Sequence, residues 1–265
     1  MVTEEIVMLK KIINIIVPVF ILIATAAFLY FTASQRKTVT AGVSESLPVP
    51  ETTPLAEKTQ AAKHNQKSKK VKTSPNIEAK ILANTHGLDK NVLDHALTGY
   101  HWAVSHGYVR NPDILTIVDF SMPSYEKRLW VVDVKSGKQL MNLYTTHGSH
   151  SGMTSATSFS NRPGSNQSSV GVFVTMNPYQ GKHGLSERLK GLEPGINSNA
   201  YARAIVIHPA WYATPSYIAS NHRAGRSWGC FALDPSKSTK YVNLTKNGTV
   251  LYAYGKPEEH DPIVA

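Results

Sequence analysis

The chain has 265 residues, and 28 Lys and Arg against 18 Asp and Glu give a formal net charge of +10. Apolar residues at 42% and charged residues at 17% exclude a wholly disordered chain. With an apolar N-terminus and a polar stretch set aside, one ordinary domain with its own core remains, and two would be a tight fit.

Ile12 to Phe31 is a run of 20 residues without a charge, interrupted only by Asn14, Pro18 and Thr25. As a helix it would cover about 30 Å, the thickness of bilayer hydrocarbon. Lys10 and Lys11 precede it and favour a cytoplasmic N-terminus for residues 1–11, against the weaker opposing pull of Arg36 and Lys37. Residues 12–31 are therefore expected to be a retained single-pass anchor in the cytoplasmic (inner) membrane, with the rest of the chain outside it. A cleaved signal peptide is the rival reading, but its apolar region is usually only about 7 to 15 residues, and Thr32-Ala33-Ser34 is a poor cleavage site.

Residues 32–75 have almost no aromatics and are rich in Thr, Ala, Ser, Pro and Lys, which predicts a disordered basic linker. Residues 34–80 hold nine Lys or Arg against four Glu. Such a run invites a nucleic-acid partner. No helix-turn-helix, zinc-finger or RNA-binding signature accompanies it, so the expected partners are anionic lipid or wall polymers and not nucleic acid.

From Ile77 to Gly107 apolar residues recur at three- and four-residue intervals (Ile81, Leu82, Val92, Leu93, Ala96, Leu97, Trp102), predicting two helices separated at Gly87. Short β-branched and aromatic runs follow: Ile114 to Val118, Leu129 to Val134, Gln139 to Thr145, Val170 to Met176, Arg203 to His208 and Thr249 to Tyr254. Lys135-Ser136-Gly137 is the predicted turn of a hairpin. The expectation is one mostly β, α+β domain over residues 76–255, with helices at its front and a short tail at 256–265.

Cys230 is the only cysteine, so it cannot form an intrachain disulfide. In an exported, oxidising compartment a lone thiol implies burial or chemistry. Its surroundings, Gly225-Arg226-Ser227-Trp228-Gly229-Cys230-Phe231-Ala232-Leu233, favour chemistry: the glycines allow close approach of main chain to a ligand, and such a loop can present N–H groups to an oxyanion. A thiolate is the attacking species, and Arg226 or an imidazole would help to form it. His208, ending an apolar strand just before Pro209, is the imidazole expected at the sheet edge.

The His208 to Cys230 arrangement with Ser227-x-Gly229-Cys230 resembles the L,D-transpeptidase catalytic (YkuD-like) family. Further matching segments are Leu129 to Asp133, Thr146-His147-Gly148 with Ser151-Gly152, Phe159 to Ser165, Ser168 to Gly171 and Arg203 to His208, over about Leu88 to Gly255. The resemblance implies a β-sandwich core with N-terminal helices and a cell-wall enzyme acting on peptidoglycan stem peptides without a cofactor. It implies that Cys230 attacks the carbonyl of the third stem residue, expels the terminal D-alanine and forms a thioester. His208 would move the protons, Ser227 would orient His208 by side chain or carbonyl, and the Gly229 and Cys230 N–H groups would hold the oxyanion. An amine acceptor then gives a cross-link and water gives hydrolysis.

Two positions depart from the common family pattern: Trp228 stands where His is usual, and Ala232 where Asn or Arg is common. Arg162, Arg203 and Arg226 are the alternative forks for the substrate carboxylate, and Trp228 flanks the groove. His147-Gly148 is expected at the groove mouth. His147 and His150 could suggest a metal, but structural zinc wants more cysteine or a third clear His, so none is expected. Gly225-Arg226-Ser227-Trp228-Gly229 also matches a serine-hydrolase elbow. That fold needs its acid and His after the Ser, and the sole His following is His260 in a polar tail. A Cys-His hydrolase on the same fold and a noncatalytic wall-binding module are the remaining alternatives.

Overall fold

The structure, a computed structural model, describes residues 75–255 and Ile263. The expected anchor, nearly all of the linker and most of the C-terminal tail lie outside the described residues. Among the described residues no helix is long and apolar enough to cross a membrane.

Two helices open the domain as the spacing predicts: α1 (Pro75–Asn84) and α2 (Lys90–Ser105). The Asp89 side chain caps α2 by accepting from the N–H groups of Asn91 and Val92, satisfying donors that would otherwise be orphaned at the helix start. One face of α2 buries Val92, Leu93, Ala96, Leu97, Tyr100 and Ala103.

The strands are β1 (Ile114–Asp119), β2 (Leu129–Asp133), β3 (Gln139–Leu143), β4 (His147–Gly148), β5 (Gly171–Gly181), β6 (Gly184–Gly191), β7 (Val206–Pro209), β8 (Arg226–Ser227), β9 (Phe231–Leu233) and β10 (Val250–Tyr254). Eight form one mixed sheet in the order β3-β2-β1-β10-β5-β6-β7-β9, while β4 pairs in parallel with β8. The expected sandwich of separate sheets is thus one large sheet. Its two edges are brought together where Thr145 and Thr146, just past β3, bond to Ala232 of β9.

Both faces of the sheet are covered. Leu115, Ile117, Trp130, Val132, Val172, Val250 and Tyr252 meet α1 and α2. Their alternates Val118, Leu129, Val131, Phe173 and Leu251 meet Ile207, Phe231 and the helix α4 (Pro235–Thr245). This is the period-two alternation of a strand, with each large apolar side chain so buried stabilising by about 1.5–3 kcal/mol. Burial on both faces explains why β1 and β2 read as near-continuous apolar runs, broken in β1 only by Thr116.

Three features differ from the sequence reading. The strand expected from Arg203 begins at Val206, because Arg203 and Ala204 lie in a turn with Ala204 at φ +54°. That strand is internal, between β6 and β9, and not at the sheet edge. The elements β4, β6, β8, β9, α3 (Pro215–Asn221) and α4 escaped the pattern. Glu187 and Arg188 interrupt β6, and α4 buries Ser238 and Thr245 beside Tyr241 and Val242, which blurs its apolar period.

Candidate active site

Strand β7 pairs with β9 in parallel, Ile207 opposite Phe231 and His208 opposite Ala232. Ile207 and Phe231 point into the core, so His208 and Ala232 point to the other face. Carried back one residue, the register sets Cys230 beside Val206 and diagonal to His208, about 8 Å away between Cα atoms from ordinary strand spacing and rise. The 21 residues between base and thiol hold a 3-10 turn (Trp211–Ala213), α3 and β8, which return the chain to its starting strand.

The Cys230 thiol is partly exposed and contacts the Ala204 carbonyl oxygen at 3.6 Å. Burial pushes its pKa up, while the Val206 N–H and the Arg203 guanidinium pull the other way. Burial wins, so the resting sulfur holds its proton. Arg203 is fixed in place: its Nη1 donates to Ser160 O at 2.5 Å and Ser169 Oγ at 2.6 Å, its Nη2 to Gln167 O at 2.6 Å and Ser165 Oγ at 3.2 Å. It is a charge held beside the thiol, with both terminal nitrogens committed to the 160–169 loop.

His208 is buried, and its Nδ1 lies 2.9 Å from the Pro209 carbonyl oxygen. A carbonyl only accepts, so Nδ1 carries the proton and the lone pair sits on Nε2. Burial lowers the imidazole pKa against the raising effect of that carbonyl, and the nearby His183 and Lys182 lower it further. No hydrogen bond joins this ring to the thiol in the structure. Such contacts are commonly loose before substrate binds.

Ser227, expected to orient His208, makes no hydrogen bond to it by side chain or by carbonyl, the latter accepting from the Ser149 N–H at 2.7 Å. Its Oγ donates to Cys230 O at 2.7 Å and accepts from the Gly229 N–H at 3.1 Å, so it braces the cysteine loop while Pro209 orients the imidazole. The Gly229 N–H is therefore occupied and not offered to an oxyanion. Gly229 itself has φ +113°, and a Cβ there would lie 2.7 Å from Gln167 O. Only glycine fits that turn without strain.

His147 corrects the expected groove mouth. It is fully buried, accepting at Nδ1 from Arg128 Nη2 at 2.8 Å and donating from Nε2 to Gly152 O at 3.2 Å. Burial, with Arg128 beside it, holds its pKa down at about 4. Arg128, also fully buried, donates to Thr145 O and Met122 O as well. Gly148 is equally structural, since a Cβ would strike Asn166 O at 2.4 Å. Together they seat β4 against β8, and through it the loop that carries Cys230.

Arg226 donates to Ser149 O at 2.9 Å and Gly152 O at 3.3 Å, tying down the same segment. Arg162 is exposed on the 160–165 loop. Trp228 stands 76% exposed two residues before the thiol, a large apolar surface left open beside the reactive atom. Tyr212 was missed by the sequence reading. Its hydroxyl is raised in pKa by burial and further by Cys230. Local spacing carried no signal for it, because its position follows from Gly225 packing against its ring.

The sequence pattern of the L,D-transpeptidase catalytic domain matches residues 84–254, a span enclosing every element of this site. The chain belongs to that family. No curated protein matches the chain of this L,D-transpeptidase family member. Among solved structures it is similar to the L,D-transpeptidase from Mycobacterium smegmatis, at 13% identity and TM-score 0.34 over 54% of this chain and 59% of that one. It is also similar to a helical cell shape determining protein from Campylobacter jejuni, at 12% and 0.37 over 55% and 48%. A third is the L,D-transpeptidase from Xylanimonas cellulosilytica, at 12% and 0.34 over 69% and 94%. The chain thus spans well under two thirds of the first two. The family assignment rests on the sequence match.

Proposed function

We propose that this protein is a peptidoglycan L,D-transpeptidase with Cys230 as nucleophile and His208 as base. The observation that carries the reading is the pairing of an uncommitted Nε2 on His208 with a thiol on the same face of the adjoining strand. Both groups favour their neutral forms, so the reaction starts from thiol and imidazole and not from a standing ion pair. His208 Nε2 takes the thiol proton as sulfur bonds to the carbonyl carbon of the third stem residue. The tetrahedral oxyanion is met by the Cys230 N–H. Collapse breaks the amide bond, the departing D-alanine amine takes the proton from His208, and a thioester remains. An acceptor amine then attacks and gives its proton to Nε2, the C–S bond breaks, and Nε2 returns that proton to the departing sulfur as the cross-link forms.

Arg203 lowers the cost of the developing thiolate, and Arg162 with Trp228 faces the incoming stem peptide. A Cys-His amidase or carboxypeptidase would use the same steps with water as acceptor. Residues 1–11 lie in the cytoplasm, 12–31 anchor the chain in the inner membrane, 32–75 form a basic linker reaching toward wall polymers, and 76–255 act outside the membrane, followed by a tail at 256–265.

Incubating the full chain with a carbapenem should give a covalent adduct on Cys230 by mass spectrometry, absent in Cys230→Ser. An unmodified protein at saturating drug would overturn the nucleophile assignment. Muropeptide analysis of the products separates joining from cutting. Extraction of membranes with carbonate should leave the chain in the pellet, and a variant lacking residues 12–31 should appear in the soluble fraction.

A further inference from the structure

The hairpin of β5 and β6 reverses at Lys182 and His183, and its tip reaches β7: a Cβ on Gly184 would lie 3.4 Å from the Pro209 ring. At that tip the His183 ring lies over the His208 ring, with centroids 4.7 Å apart and planes inclined by 29°. His208 is buried beneath, while His183 is exposed. The loop before Cys230 carries Trp228 and no imidazole, so the site's second imidazole comes from an element 47 positions upstream of the thiol.

We infer that His183 is a positioning residue of the reaction, which stacks on His208 and fixes the plane in which Nε2 meets the Cys230 thiol. The Pro209 carbonyl holds Nδ1 by one hydrogen bond, and contact across the ring face adds a second constraint on the plane of the ring. The pair has an electrostatic consequence as well. Two stacked imidazoles, with Lys182 on the same hairpin, resist a second positive charge, which keeps His208 a neutral base facing Cys230. The inference rests on the assignment of Cys230 and His208 above, and gives the β5–β6 hairpin a role that its sequence alone does not suggest.

The test uses the full chain in detergent micelles and two variants, His183→Ala and His183→Phe. The first readout is the rate of carbapenem acylation at Cys230. Removal of the stack in His183→Ala should slow it about tenfold or more, as expected when a reacting group loses its orientation. His183→Phe, which keeps a ring over His208, should recover most of the rate. The second readout is the NMR titration of the His208 imidazole in His183→Phe, which keeps a ring over His208 but removes the second titratable group; its midpoint should move up, and a packing role alone would not move it. Acylation of His183→Ala at the unmodified rate, or an unchanged His208 midpoint in His183→Phe, would overturn the inference. Absence of any adduct in the unsubstituted chain would instead sink the transpeptidase reading, and the titration would still decide whether the two rings are coupled.

Discussion

The Nδ1 of His208 lies 2.9 Å from the carbonyl oxygen of Pro209, its own neighbour in sequence. One main-chain acceptor thereby sets the tautomer of the base. Nitrogen NMR at high pH should show the proton on Nδ1. Replacement by Gln should cut acylation by about 10²- to 10⁴-fold, the usual contribution of a positioned base. Because burial holds the imidazole below its ordinary value, acylation should persist as pH falls through the normal histidine range and fail only below it.

Arg203 connects thiol chemistry to loop order. Its guanidinium stabilises a thiolate at Cys230, so Arg203→Gln should move the pH midpoint of thiol alkylation upward. It also loses its bonds to Ser160, Ser165, Gln167 and Ser169, and chemical denaturation should report a loss of about 2–4 kcal/mol. Alkylation with an unshifted midpoint would remove the electrostatic role.

Gly229→Ala tests the loop that presents the sulfur. A side chain at φ +113°, with its Cβ 2.7 Å from Gln167 O, must distort the turn. Thermal unfolding should show a cost of about 1–3 kcal/mol, and carbapenem acylation should slow by about a hundredfold through displacement of the thiol.

Glu187 makes stability depend on pH. Its carboxyl is fully buried: Oε2 accepts from Thr245 at 2.8 Å, Oε1 has no partner among the described residues, and burial raises its pKa to about 8. The folded state therefore keeps a proton that the unfolded state releases. The stability this gives is complete below the ordinary carboxylate range and is lost as pH rises to about 8. Denaturation midpoints of Glu187→Gln should stay flatter across that window, and parallel curves for the two proteins would refute the assignment.

Much of the architecture was legible because its signals are local. The 3.6-residue spacing of α2 and the largely apolar runs of β1 and β2 report their own burial. A turn at Lys135-Ser136-Gly137 sits where β2 and β3 meet. By contrast, Arg203 to Ile205 imitates the start of a strand, and only the turn at Ala204 shows that the strand begins later. The polar interruptions in β6 hide a strand that is half of the hairpin bearing His183.

At the site, the sequence by itself determined that one thiol exists, that it follows a glycine-rich turn, and that an imidazole ends an apolar segment 22 residues earlier. Tertiary structure decided what those groups do. Ser227 braces Cys230 because the turn folds its hydroxyl back on the main chain. His147 is buried because the guanidinium of Arg128 needs an acceptor. His183 reaches His208 because the β5–β6 hairpin is long enough to carry it across β7. Hydrogen-bond direction, ring stacking and charge proximity are properties of distances between residues far apart in the chain, and spacing along a sequence does not encode them.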